Sequence, residues 1–254
     1  MLSRAYVCGR TCLEAHGAFF DETSFPGRQG RLAWTYLVLE RHRTITREQL
    51  IDAIWGDGYP PACDRALSAI LSKLRALLRT ACIDGSEICS LGHSVRLLLP
   101  TNIWIDVERA YADLERANRY RKEKRVGEAY GWALASYMIV REELLPGEES
   151  AWIAGKRNEL FGLLMQSIDA LIQIYSTTGN TNMALQFAQE AVARDPLHES
   201  AYRELMRLFA EVANNAAVAS TYRRCCEALA SQVNGRPSQA TDAAYRRALE
   251  RSST

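Results

Sequence analysis

Apolar and polar positions along the chain fall into two regimes. Between residues 4 and 25, Tyr6, Cys8, Leu13, Phe19, Phe20 and Phe25 are interrupted by Gly9, Gly17 and charged positions, which predicts short strands. At Gly30 the period changes. Leu32, Ala33, Tyr36, Leu37 and Leu39 recur at helical spacing to about Arg41. Thr46-Arg47-Glu48-Gln49 has the form of a capping box, in which the Thr hydroxyl and the Gln amide each satisfy an orphan N–H. It opens a second helix that buries Leu50, Ile51, Ile54 and Trp55 and stops at Gly56-Asp57-Gly58. Pro60-Pro61 punctuates the entry to a third helix over about 62–80. Alternation from Ile88 to Pro100 around Leu91-Gly92-His93-Ser94-Val95 predicts a hairpin. Strands, three helices and a hairpin in this order outline a winged helix.

From Asp106 onward the period is helical throughout. Helices are expected at about 106–124, 126–140, 149–177, 181–194, 198–212, 215–232 and 238–250, separated by Pro146-Gly147, Gly179-Asn180, Asp195-Pro196 and Gly235-Arg236-Pro237. An offset of 35 residues places Asn180 on Asn215, Ala184 on Ala219 and Phe187 on Tyr222. That spacing of small and aromatic residues suits tetratricopeptide-like helix pairs. The expected fold is therefore mainly α: a winged helix-turn-helix domain (α+β) over 1–105, then an all-α repeat domain over 106–254.

Composition narrows the function classes. The chain has 254 residues and a net charge of +1, so no global field announces a nucleic-acid or membrane partner. Residues 1–105 hold 12 Lys/Arg against 10 Asp/Glu (+2), and the remainder 19 against 20 (−1). DNA affinity must therefore come from local placement of charge. No apolar run approaches the roughly 20 residues of a membrane span, and the N-terminus lacks a signal-peptide core, so a cytoplasmic location is expected. Seven cysteines without paired C-x-x-C spacing suit neither a disulfide framework nor a zinc site. They read as small buried apolar side chains in a reducing compartment. Cys225-Cys226 beside Arg223 and Arg224 has the cationic neighbours of a reactive thiol site, and the blander reading places both on a repeat helix with one facing the core. No metal, cofactor or catalytic constellation is expected, and an enzyme is the weakest reading.

The third helix carries the candidate chemistry. Leu67, Ile70, Leu71, Leu74, Leu77 and Leu78 form one apolar stripe, and Arg65, Ala69, Ser72, Ala76 and Arg79 the opposite face. Ser68 and Arg75 flank that face on one side and Lys73 on the other. Small outer residues let such a helix enter a major groove. Arg65 can pair with guanine, Ser68 or Ser72 with base edges, and Ala69 with a thymine methyl. Lys73, Arg75 and Arg79 suit phosphates. His93 and Arg96, near the hairpin tip, complete the set. A solvated surface helix would carry a similar pattern. Position after a capped helix and before a hairpin favours double-stranded DNA as the partner.

Three segments carry a family resemblance: Gly27-Arg28-Gln29-Gly30-Arg31-Leu32, Thr46 through Gly56, and Ala66-Leu67 leading to Leu71-Ser72-Lys73-Leu74-Arg75. They resemble the response-regulator-type winged helix of antibiotic-regulatory-type (SARP-like) activators. Leu144-Leu145-Pro146-Gly147 with Trp152 and Arg157, Ala191 through Leu197, Ala201-Tyr202-Arg203, and Gly235 through Ser238 before Tyr245 resemble the bacterial transcriptional activator domain that follows it there. The resemblance implies an activator that binds direct repeats near promoters and helps recruit RNA polymerase, with a homodimer or tandem arrangement on DNA left open. By position, Arg65, Ser72, Lys73 and Arg75 would contact DNA. The wing departs from the family in lacking an aromatic after Gly92. The alternative is a helical-repeat adaptor for a protein or ligand, whose winged helix no longer reads DNA.

Overall fold

The computed structural model describes residues 3–56 and 58–251, so Asp57 of the helix-stop signal lies outside the described residues. The chain forms two compact units. The first combines residues up to Tyr111 with Met138–Phe161, and the second combines Ala112–Tyr137 with the residues from Gly162 onward.

The first unit opens with strands β1 (Arg4–Tyr6), β2 (Cys12–Ala15) and β3 (Ala18–Phe20). Helix α1 (Gly27–Leu39), strand β4 (Ile45–Thr46) and helices α2 (Arg47–Trp55) and α3 (Cys63–Ala81) follow. Strands β5 (Glu87–Leu91), β6 (Ser94–Leu98) and β7 (Trp104–Ile105) lead into α4 (Asp106–Lys122). One sheet has the order β3-β2-β1-β7, antiparallel except where β7 runs parallel to β1. The other has the order β4-β6-β5 and is antiparallel throughout. At two residues each, β4 and β7 are too short to show a period. They exist because Ile45 pairs with Val95 and Ile105 with Ala5.

Leu32, Trp34, Leu37, Leu50, Leu67, Leu71, Leu74 and Leu97 are almost wholly buried and form the core around which α1, α2 and α3 pack. Trp55, expected in that core, is only half-buried because it lies at the last position of α2. Gly30 is required by close approach: a Cβ there would run into the Pro26 ring.

Several contacts made by residues beyond 105 belong to this unit. The Asp106 carboxylate accepts from Val7 N, Cys8 N and Val107 N, each at 2.8 Å, fastening the start of α4 to the end of β1. Burial raises its pKa to about 6, with the backbone N–H groups opposing the rise. The Trp152 indole donates to Ala53 O on α2 at 2.8 Å and meets the Tyr36 ring edge-on, at 5.2 Å between centroids. In the same stretch, Gly9 N donates to Glu143 O at 2.8 Å, and Arg157 donates to the carbonyls of Leu144 and Leu145.

The second unit is helical. It draws on α4, α5 (Val126–Val140) and α6 (Ala151–Thr177), followed by α7 (Thr181–Arg194), α8 (Glu199–Glu211), α9 (Asn215–Val233) and α10 (Gln239–Arg251). Its repeat register is 34 residues rather than the expected 35. The N-caps are Asn180 and Asn214, accepting from Met183 N and Ala217 N, and Ala184, Phe187 and Ala191 match the buried Val218, Thr221 and Cys225. Residue type alone favoured Tyr222 as the aromatic equivalent. Tyr222 instead stacks on Tyr245 at 4.1 Å. Burial pushes the Cys225 thiol up to about 12, so it packs as a neutral apolar group. Of the cysteines expected to be buried only Cys12 and Cys225 are; Cys8, Cys63, Cys89 and Cys226 are half-buried and Cys82, at the end of α3, is exposed.

Candidate DNA interface

Local sequence places the candidate reading helix. Thr46 Oγ1 accepts from Gln49 N, and Gln49 Oε1 accepts from Thr46 N, so the capping box forms as expected. α3 buries Leu67, Ile70, Leu71, Leu74, Leu77, Leu78 and Ala81. It ends at Cys82, whose φ of +50° lies in the left-handed region. Strands β5 and β6 join through the two-residue turn Gly92-His93, with Leu91 opposite Ser94. Gly92, at φ +58°, supplies the positive dihedral that such a turn takes at its first position.

The outward face of α3 carries the exposed residues Arg65, Ala69, Ser72, Ala76 and Arg79. Arg65, Lys73 and Arg79 on the helix and Arg96 on the wing are exposed and make no ion pair among the described residues. They therefore carry unneutralised charge. Lys73 stands on the flank, where Phe20, Phe25, Pro26 and Leu77 line a cleft beside it. Arg79 borders a second cleft with Asp84 and Glu87. His93 and Arg96 are exposed on the wing.

Two expected contacts are occupied by protein groups. Arg75 is half-buried and donates from Nε to Ile88 O at 2.8 Å and from Nη2 to Ser90 Oγ at 2.7 Å, tying the helix to the wing. Ser68 Oγ donates to Asp64 O at 2.8 Å and accepts from Arg47 Nη2 at 3.0 Å.

Arg47 carries no site signal of its own in the sequence beyond its place in the capping box. It opens α2, where a cation opposes the helix dipole, and Asp64 offsets this by accepting from Arg47 Nε at 3.1 Å. Arg47 Nη2 also reaches Asp64 O at 3.1 Å, and Arg47 N donates to His93 O at 2.8 Å. One residue thus joins α2, the first turn of α3 and the wing tip. An Arg at the first helical position, followed 17 residues later by an Asp opening the next helix, is the signal that could have found it.

A capped helix leading to a basic, small-faced helix and a braced hairpin define a winged-helix, DNA-binding transcriptional regulator. The model for the transcriptional regulatory protein C-terminal family matches residues 28–89. The bacterial transcriptional activator domain model matches residues 105–249, more than half of the chain, and the protein belongs to that family. It is similar to the transcriptional regulatory protein MoaR1 of Mycobacterium bovis and of Mycobacterium tuberculosis, at 22% identity over 225 residues covering 86% of this chain and 71% of the relative. In fold it is similar to Mycobacterium tuberculosis EmbR, solved in complex with a low-affinity phosphopeptide. The TM-score is 0.86 at 19% identity, over 98% of this chain and 65% of that one. Among the described residues, no helix is long and apolar enough to cross a membrane.

Proposed function

We propose that the protein is a transcriptional activator that inserts α3 into the major groove at direct repeats near promoters, with the helical residues beyond 105 engaging RNA polymerase. The carrying observation is the face of α3, on which Arg65, Ala69, Ser72 and Ala76 stand exposed beside unpaired cations. Small side chains would give the helix access to base edges, and an unpaired Arg65 on that face supports a guanine contact. Lys73, Arg79, Arg96 and His93 serve as phosphate contacts on the flank, the helix end and the wing. Arg75, Ser68 and Arg47 brace the reading head. A cytoplasmic location goes with this reading. The test is selection of bound sequences from a random DNA pool, followed by binding of the selected site at two salt concentrations. Recovery of a directly repeated motif, with affinity falling steeply in salt, supports the reading. Recovery of no motif, with no affinity at low salt, would remove it.

A further inference from the structure

We propose that the cleft between α8 and α10 is a binding site for a small organic carboxylate with a short aliphatic body. The cleft has a volume of about 300 Å³ and is lined by Arg203, Glu204, Arg207, Ala210, Ala244, Arg247 and Ala248. That volume lies at the small end of ligand pockets. Its lining separates into two parts by helical spacing. Residues 203 and 207 on α8 and 247 on α10 put three guanidinium groups at the cleft. Ala210, Ala244 and Ala248 give a methyl-lined surface that holds back neither helix.

The three arginines are not equivalent. Arg207 is committed, donating to Glu204, Glu211 and Ser176, and acts only as fixed charge. Arg203 donates from Nη1 to Thr241 Oγ1 at 3.1 Å, which orients it and leaves Nε and Nη2 available. Arg247 donates only from Nε, to Ala243 O of its own helix, so both its terminal nitrogens are open. Neither Arg203 nor Arg247 makes an ion pair among the described residues. The Glu199 carboxylate, held by Ser238 N and Oγ, also feels Arg203. The lining itself carries three cations against Glu204 alone. Two guanidinium forks with open donors match the planar geometry of a carboxylate. The alanine surface matches a short hydrocarbon chain better than the hydration shell of an inorganic anion.

Isothermal titration of the full-length chain with hexanoate, hexan-1-ol and inorganic phosphate tests this. The wild type is compared with Arg247→Gln and with Arg223→Gln, a change at an exposed arginine on α9 outside the cleft. Both variants alter exposed side chains, and circular dichroism melts check that they remain folded. The expected result is saturable hexanoate binding below about 10 mM, weakened about tenfold or more in Arg247→Gln and unchanged in Arg223→Gln, with hexan-1-ol and phosphate silent. Three results would each overturn the proposal: no saturable hexanoate binding, equal weakening in both variants, or phosphate binding as well as hexanoate.

Discussion

Arg65 and Lys73 lie on the same helix but face different surroundings, and the DNA contacts proposed for them differ accordingly. Arg65 projects from the first turns of α3 onto the small-residue face, and Lys73 stands on the flank beside Phe20, Phe25 and Pro26. Arg65→Ala is expected to relax base preference at one position by about 1–3 kcal/mol. Lys73→Ala is expected to weaken all DNA sequences alike and to flatten the salt slope by about one unit. Fluorescence anisotropy on matched and mismatched sites at several salt concentrations separates the two, and identical effects would refute the assignment. His198 offers a residue-scale test in the second unit. Its Nε2 meets both Asp169 oxygens at 3.1 Å and Ser200 Oγ at 2.8 Å. The hydrogen bond that the protonated ring donates to Asp169 raises its pKa above 6.5, against partial burial. The raised value means that the folded state holds the proton more tightly. The resulting stability is fully present below pH 6.5 and is lost as pH rises through the folded pKa. Urea midpoints measured across that range should decline with pH in the wild type and decline less in His198→Gln. Parallel curves would show that the pair contributes nothing.

At the scale of elements, legibility followed length. α1, α2 and α3 were readable because each carries several turns of one apolar stripe, and the capping box at Thr46 fixed the start of α2 before any packing was known. β4 and β7 were not readable, since two residues have no period and their pairing depends on partners 50 and 100 positions away, Val95 for Ile45 and Ala5 for Trp104's neighbour Ile105. (The second separation runs backward along the chain, to β1.) The repeat is legible as a pattern, but residue names favour an offset of 35 where the buried positions follow 34, because a burial period shows in contacts. On the reading face, the type and spacing of the residues were legible, but the intramolecular engagement of Arg75 and Ser68 was not. Trp152 shows the same limit, since its partner Ala53 is 99 residues earlier in the sequence. Trp152→Phe keeps most of the packing on Tyr36 and loses the bond to Ala53 O, at a cost of about 1 kcal/mol. Trp152→Ala removes both and should cost about 2–4 kcal/mol, less than a fully buried Trp. Denaturant midpoints of the two variants, with unchanged m-values, would show this order, and equal midpoints would contradict it.

At the scale of the whole molecule, the change from mixed to all-helical pattern near residue 105 coincides with the start of the activator-domain match. The compact unit around the reading helix nonetheless takes in residues 138–161. A cut at residue 105 therefore removes specific partners from that unit. Val7 N and Cys8 N lose the Asp106 carboxylate, Arg41 loses the bidentate Glu108, and Arg28 loses Glu148. Ala53 O and the Tyr36 ring lose Trp152. None of these groups lies on the exposed face of α3, so the fragment keeps the proposed DNA contacts while their support is weakened. A fragment of residues 1–105 is expected to unfold at lower urea than the same unit in the full chain. It should bind the selected site more weakly at equal salt and fail to activate a reporter. Full-length Trp152→Ala should show part of the stability loss and keep the sequence preference, because the lost contact braces α2 rather than touching DNA. Circular dichroism unfolding, anisotropy and a promoter reporter on the three proteins read these effects separately. A fragment as stable as the full chain would show that residues 106–111 and 138–161 contribute nothing to the first unit, and full activation by the fragment would remove polymerase engagement from the residues beyond 105.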